Sequence, residues 1–484
     1  MSDLVPIKSE NRPLASSQQL HPAQNLAEVY RTMAMRPLET PQEREAFYRD
    51  INDVRGGDKI AHIRRDLERE HSISYFKGFF MGHSGVGKST EINRLAGMVE
   101  NRFRILRINA LDDLNAADFR PFDLLFVIIY RLMQEISHLE SQDKIPPELL
   151  DSILQWFNTN EYKQINERQE DQFQTKEAGM PKKISELIGL VFNVSNSLRY
   201  TGKRQDTTTA YSYKTLGQLV DLMNRLFDAA NLQIQSEGKE WVIVGEDFDK
   251  QGVSPARVEE LFIEHANLFT SLKTHLIFNI PNALAYSEKA QNLPKIKRYC
   301  IFDTPVYRRG DGIKEAVYEP DEKGRNALRE VMNARMNPEL FAEGQQERLI
   351  VASGGNLSDL FSLTVAAADN AALRIGENGT IEAQDVTQAI NEKRREYRNA
   401  LGSSPFDLNP IPYTEKADRL FAIYDQEPRE NVPDRTLYTL IVVRAVQEFN
   451  GESWFGLHPL VVDLLKPEGR FKTDDKGNTV GGTL

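Results

Sequence analysis

The chain has a single cysteine, Cys300, in 484 residues. That excludes an intramolecular disulfide and makes a reducing cytosol the simplest expected home. Long hydrophobic runs are missing too. The strongest, LLFVIIY at 124–130, is far too short to span a bilayer, so no membrane partner is expected. The N-terminus, MSDLVPIKSENRP, lacks the basic-then-apolar pattern of a secretory signal, and nothing suggests export. An excess of positive charge is absent: 60 Lys and Arg face 71 Asp and Glu, for a formal charge of −11. This argues against a surface built mainly to hold nucleic acid, while leaving room for a local basic patch. No repeat at solenoid periods is visible.

What is present is a soluble globular composition, 40% hydrophobic and 27% charged, long enough for roughly two to four domains. Residues 1–40 mix Pro, Ser, Gln and Ala with little periodicity and read as a mobile arm. From Pro41, Phe47, Ile51, Ile60, Ile63 and Leu67 recur at helical spacing, broken at Gly56-Gly57. Five short apolar segments read as strands: SYFKGFFM (74–81), FRILRINA (103–110), WVIVG (241–245), THLIFNI (274–280) and RYCIFD (298–303). Helical patterns separate them, which predicts an α/β fold with a parallel sheet covered on both faces. The second and third strands are too far apart for one crossover helix. The surplus, 139–206, reads as a helical insertion, either a partner-docking arm or a helix folded back on the core. Strand signals fade after Glu315, and 323–400 reads as a helical bundle. SSPFDLNPIP at 403–412 reads as a linker to a last small domain.

Gly82-His83-Ser84-Gly85-Val86-Gly87-Lys88-Ser89, followed by Thr90, fits G-x-x-x-x-G-K-[ST] at every fixed position. Glycines let successive backbone N–H groups converge on one phosphate, and the helix opening near Lys88 adds its positive dipole end. Lys88 would reach the β- and γ-phosphates, and the Ser89 hydroxyl would join a Mg²⁺ shell. The alternative, a glycine turn with a chance lysine, fits less well with a strand before and a helix after. His83 reads as a filler position.

WVIVGEDFDK, 241–250, places Glu246, Asp247 and Asp249 just past a strand. One carboxylate is needed near the metal's water shell and a second group to orient the attacking water. Glu246 is assigned to the metal and Asp247 to the water, with Asp249 secondary. An acidic turn after a strand is the plain alternative.

GHSGVGKST followed by VIVGEDFDK resembles the AAA+ and STAND group of P-loop ATPases, and the GEDFDK end is similar to the DDLDR ending of KAP-type ATPases. The resemblance covers about 45–400. It implies a P-loop NTPase sheet with AAA+-like strand order, spanning 41–312 with the insertion at 139–206. A helical lid at 313–402 and a winged-helix-like C-terminal domain at 403–484 would follow. The adenine base would lie near Val54-Arg55-Gly56. Glu246 stands where the family usually has aspartate, which puts turnover more in question than binding.

The same resemblance makes Asn279, in LIFNIPNAL, the polar residue that ends the fourth strand beside the γ-phosphate. A turn-starting Asn before Pro281 is the other reading. Arg308, Arg309 and Arg335 are candidates for an arginine finger reaching a neighbouring subunit, against the ordinary fate of surface arginines. In the lid, Gly355-Asn356-Leu357 match a G-N-x-R signature, but Ser358 occupies the arginine position. The KRREYR end of the last lid helix reads as a dipole complement or a phosphate contact. FNGESWFGLHPLV resembles the winged-helix-like end of bacterial ATPases, with Trp454 and His458 read as core and turn residues.

The resemblance therefore implies an ATP- and Mg²⁺-dependent switch, hydrolysing ATP to ADP and phosphate. It would form homo-oligomers and control a protein effector, in the manner of ATPases found in phage-defence or stress-response operons. Two other readings stand beside it: a DNA-engaging initiator or loader, and a scaffold that binds nucleotide without turnover.

Overall fold

The computed structural model describes residues 20–70, 74–139, 145–159, 183–191, 213–250, 252–285, 296–309, 318–403, 410–425, 432, 434–449, 454–471 and 482–483. Its centre is a five-stranded parallel sheet of β1 (Lys77–Gly82), β2 (Phe103–Asn109), β3 (Glu240–Glu246), β4 (His275–Asn279) and β5 (Lys297–Ile301). The strand order is β2-β3-β4-β1-β5, so the chain has the α/β fold of a P-loop NTPase. All five predicted strands are present, each within three residues of its expected ends.

Alternation along the strands explains the layers. Phe79 and Met81 of β1, with Trp241 and Ile243 of β3, enter one apolar cluster. Phe80 of β1, with Val242 and Val244 of β3, enters another on the opposite face. A period of two is what a pleated strand imposes, and a sheet buried on both sides needs apolar residues at both phases. On the first face, Pro121–Ser137 and Tyr213–Ile234 supply the covering helices. On the second, Lys59–Glu70 and Lys88–Val99 do so, through Ile60, Ile63, Leu67, Ile92, Leu95 and Val99.

The described part of the insertion folds back on the first face. Trp156 and Phe157 of Pro147–Thr159, and Ile184, Leu187 and Val191 of the helix 183–191, are buried in the same cluster as Phe126. Of the two readings offered for 139–206, the docking arm loses these residues to the core. Residues 160–182 and 192–206 lie outside the described residues.

The expectation of a mobile arm over 1–40 needs correction from residue 20 onward. Leu26–Thr32 is helical, and Ala23, Leu26, Val29 and Met33 are buried among the lid helices. Asn25 caps that helix by accepting from the Glu28 N–H at 3.1 Å, and Ala23 bridges to Met336. Composition hid a one-stripe amphipathic segment whose partners are three hundred residues away. Residues 1–19 lie outside the described residues.

The expected lid comprises α1 (Glu322–Asn333), α2 (Gln345–Ala352), α3 (Leu357–Ile375) and α4 (Ala383–Leu401). It shares one apolar cluster with the C-terminal elements α5 (Tyr413–Tyr424), α6 (Arg435–Val442), the hairpin β8 (Val446–Phe449)–β9 (Trp454–Leu457) and α7 (Pro459–Leu465). A second hairpin, β6 (Tyr307–Arg309) with β7 (Tyr318–Pro320), precedes the lid. Trp454 stacks on Phe449 with ring centroids 4.7 Å apart. His458 is fully buried, its imidazole pushed down to about 4 chiefly by burial. The expected turn at Asn450-Gly451 and most of the expected linker, 404–409, lie outside the described residues.

One buried carboxyl gives this region a testable pH response. Burial pushes Glu448, on β8, up to about 7 from the usual 4.5. Its folded form therefore holds a proton that the unfolded chain has released. The stability contributed is full below about pH 4.5 and is lost as pH rises through about 7. Glu448→Gln is expected to flatten this dependence and to stabilise the protein near pH 8 by about 2–3 kcal/mol. Unfolding midpoints of both forms across that range check it. A Gln variant as pH-sensitive as the parent would sink the assignment.

Candidate nucleotide site

The carboxyl ends of β1, β3 and β4 meet at one edge of the sheet, where a parallel α/β sheet offers its crevice. The cavity there is lined by Ser84 to Glu91, Asp247, Asp249, Lys250 and Asn279. Gly85 and Gly87 take φ of +90° and +96°, conformations that cost glycine little. Lys88, the first residue of its helix, turns back to donate to the Gly82 and His83 carbonyls at 2.8 and 2.7 Å. Its ammonium also lies 2.8 Å from Asp249 Oδ2, and both side chains are almost fully buried. Asp249, expected to be secondary, is thus the carboxylate placed on the phosphate-loop lysine.

Glu246 ends β3 and accepts from Arg107 Nη1 at 2.6 Å. The Ser89 hydroxyl also bonds to it. Burial, the largest influence, and the neighbouring Asp247 raise its pKa, against the pull of Arg107 and Ser89. Asp247 adopts a left-handed φ of +64°, which aspartate tolerates better than most residues. Its Oδ2 accepts from Asn109 Nδ2 at 2.7 Å. Asn279 Oδ1 is buried at the cavity wall with no hydrogen-bond partner among the described residues. A buried unpaired acceptor calls for a donor.

The outer half of the cavity comes from elements far apart in the chain, which no local pattern joins. Met35 to Leu38 and Phe47 to Arg49 form one wall. Leu38 is pinned to the helix after the phosphate loop, its N–H donating to Thr90 Oγ1 at 3.1 Å and its carbonyl accepting from Asn93 Nδ2 at 3.0 Å. Arg55 lies in the cavity wall, donating to the Val86 carbonyl at 2.9 Å and pairing with Glu91 at 2.6 Å. Val331, Arg335, Leu357, Ser358 and Phe361 of the lid close the other side.

The lid touches the phosphate loop directly. Asn356 Nδ2 donates to the Ser84 carbonyl at 2.9 Å, and the Ser358 N–H donates to the Gly85 carbonyl at 3.1 Å. Asn356 Oδ1 meanwhile caps α3, accepting from the N–H groups of Ser358 and Asp359.

The three candidate finger arginines separate. Arg308 pairs across its hairpin with Glu319 at 2.6 Å on the exposed surface. Arg309 is the neighbouring hairpin position, opposite Tyr318; its side chain is outside the described residues. Arg335 is buried in its own subunit's cavity, over the Phe47 and Phe361 rings at 5.5 and 4.8 Å. It is therefore not presented to a neighbour, because stacking and a bond to the Phe47 carbonyl hold it inward. Burial lowers its pKa to about 10, so it stays cationic. In the KRREYR segment, Lys393 and Arg394 pair with Asp359 and Asp463, both at 3.0 Å. Those two cations serve the lid's contacts within the chain.

No helix among the described residues is long and apolar enough to cross a membrane. Asn109, Arg107 and the Met35–Leu38 wall are site residues that sequence reasoning missed. Only Asn109, a polar residue ending a strand, left any local signal.

No family model matches this chain, and no curated protein matches it in sequence. Among solved structures, it is similar to a Walker-type ATPase of Pyrococcus abyssi at 12% identity and a TM-score of 0.40, with 90% of this chain and 99% of that one covered. It is also similar to the ORC1 protein of Aeropyrum pernix, solved in complex with DNA, at 12% identity and a TM-score of 0.35, with 91% and 96% covered.

Proposed function

We propose that the chain binds Mg-ATP in this cavity and hydrolyses it as a switch whose lid position reports the nucleotide. The observation that carries the reading is the convergence of the phosphate loop, Asp247, Asp249 and Asn279 on one cavity, with Glu246 bonded to Ser89 beside it, under helices hydrogen-bonded to Ser84 and Gly85. The loop amides and Lys88 would hold the phosphates. Ser89 and Glu246 would hold Mg²⁺, which would supply neutralisation of phosphate charge. Asp247, steadied by Asn109, would accept a proton from the attacking water, and Asn279 would help orient that water. Asp249 would keep Lys88 aligned.

Control of a partner effector in anti-phage defence or stress signalling, with self-assembly in the cytoplasm, is proposed from the family resemblance. DNA engagement by the C-terminal domain is the competing reading.

The test is steady-state phosphate release with Mg-ATP, with and without duplex DNA, while mass in solution is followed. Asp247→Asn is expected to bind ATP normally and to lose about 100-fold or more in turnover. Retained turnover in that variant would move the water-activating role to Asp249. ATP binding without any wild-type turnover would favour the scaffold reading. Stimulation by DNA, with steeply salt-dependent binding, would favour the initiator reading.

A further inference from the structure

Ser358 leaves the lid without the arginine of the G-N-x-R pattern, yet a guanidinium reaches the phosphate loop from another domain. Arg444 follows α6 in the turn that leads into β8. Its Nη1 donates to the Ser84 carbonyl at 3.2 Å and to Asn356 Oδ1 at 3.0 Å. Its Nη2 lies 3.1 Å from Asp359 Oδ1. The fork thus joins three parts of the chain: the phosphate loop, the lid and the C-terminal domain.

Two further observations mark the position. Arg444 has a φ of +59°, and among the described residues only Asp247 is another non-glycine with positive φ. Strained backbone of this kind persists where surrounding structure dictates it, commonly at functional sites. Ser84 and Asp249 also line both the nucleotide cavity and the cleft that holds Arg444. Since Asp249 sits on Lys88, this would be the terminal-phosphate end of a nucleotide laid along the loop.

Peptide chemistry supplies the link. The Ser84 carbonyl and the Gly85 N–H belong to one planar trans peptide, so they point in opposite directions. Arg444 and Asn356 Nδ2 both donate to that carbonyl. They fix its orientation and polarise it, which makes the Gly85 N–H a stronger donor on the cavity side. We propose that Arg444 is a positioning residue through which the C-terminal domain distinguishes ATP from ADP, by setting the Ser84–Gly85 peptide against the terminal phosphate. The inference rests on the ATP reading above.

The groups facing Arg444 make its replacement tolerable. Asp359 keeps Lys393 at 3.0 Å and the Tyr397 hydroxyl at 2.8 Å without it. Arg444→Gln and Arg444→Lys in the full chain, titrated separately with Mg-ATP and Mg-ADP, form the test. Arg444→Gln is expected to lose about 10-fold or more in ATP affinity and about 2-fold or less for ADP, collapsing the preference. Arg444→Lys keeps the charge without the fork and is expected to fall between. A residue that merely holds the fold would lower the melting temperature and leave the ATP:ADP ratio as it was, and that result overturns the proposal. If Arg444→Gln fails to fold, Arg444→Lys decides alone, an unchanged ratio counting against. A wild type that binds neither nucleotide would sink the ATP reading and this inference with it. Wild-type binding with an unchanged ratio in both variants would sink the inference only.

Discussion

Lys88→Ala is expected to remove ATP binding, by about 100-fold or more, and to destabilise the folded chain by about 3–5 kcal/mol at the same time. The first loss follows from geometry. Lys88 closes the loop on itself through the Gly82 and His83 carbonyls and holds the cationic head where phosphates would lie. The second follows from what remains. Asp249 is 5% exposed at its side chain, and Lys88 is its cation at 2.8 Å. Truncating the lysine leaves a buried carboxylate without its counter-charge, which costs far more than the pair contributes. The double variant Lys88→Ala, Asp249→Asn is therefore expected to regain most of the stability while still failing to bind ATP. Denaturant midpoints and nucleotide titrations on the single and double variants separate the two effects. If the double variant is no more stable than Lys88→Ala, the ion pair is not what holds Asp249 in the core.

Where sequence reading succeeded and where it stopped have physical reasons. The five strands were legible because a parallel sheet covered on both faces demands short, uninterrupted apolar runs, and VIVG or LIFN can hardly be read otherwise. The phosphate loop was legible because its spelling is dictated by backbone geometry, with positive φ at Gly85 and Gly87. Roles that depend on long-range pairing were not legible. Asn109 and Asp247 are 138 residues apart, and Arg444 and Ser84 are 360 apart. Nothing local marks either pair. The acids beyond β3 were visible as a group, but only the fold shows that Asp249 is the one on Lys88 and that Arg107 takes Glu246. Arg335 misled for the opposite reason. An arginine in the turn after a polar helix reads as exposed, and the aromatic rings that bury it, Phe47 and Phe361, come from two other elements. The same holds for 20–40, where low periodicity concealed four residues that pack on the lid.

Gly85→Ala is expected to uncouple the lid from the phosphate loop and to weaken ATP binding about 100-fold, with the core sheet intact. Two costs add at this one position. The backbone sits at φ +90°, where a side chain is strained by about 1–2 kcal/mol. An added Cβ would also lie 2.5 Å from both Asn356 Oδ1 and Ser358 Cβ, and 3.2 Å from Arg444 Nη1. Ser358 Cβ cannot swing away, because it is fixed to the first turn of α3. Relief therefore requires the start of α3 to withdraw, breaking the Ser358 N–H bond to the Gly85 carbonyl and the Asn356 bond to Ser84. The covering helices of the sheet make no use of Gly85, so far-UV signal and core melting should change little. Limited proteolysis at the lid should rise and become insensitive to ATP. Gly87→Ala provides the contrast: its φ is equally left-handed at +96°, but the nearest atom to an added Cβ is Leu357 Cδ1 at 3.4 Å. If both substitutions changed lid protection alike, backbone strain in the loop would be the cause. A selective effect at Gly85 would make the lid contact the element that couples the nucleotide to the rest of the chain.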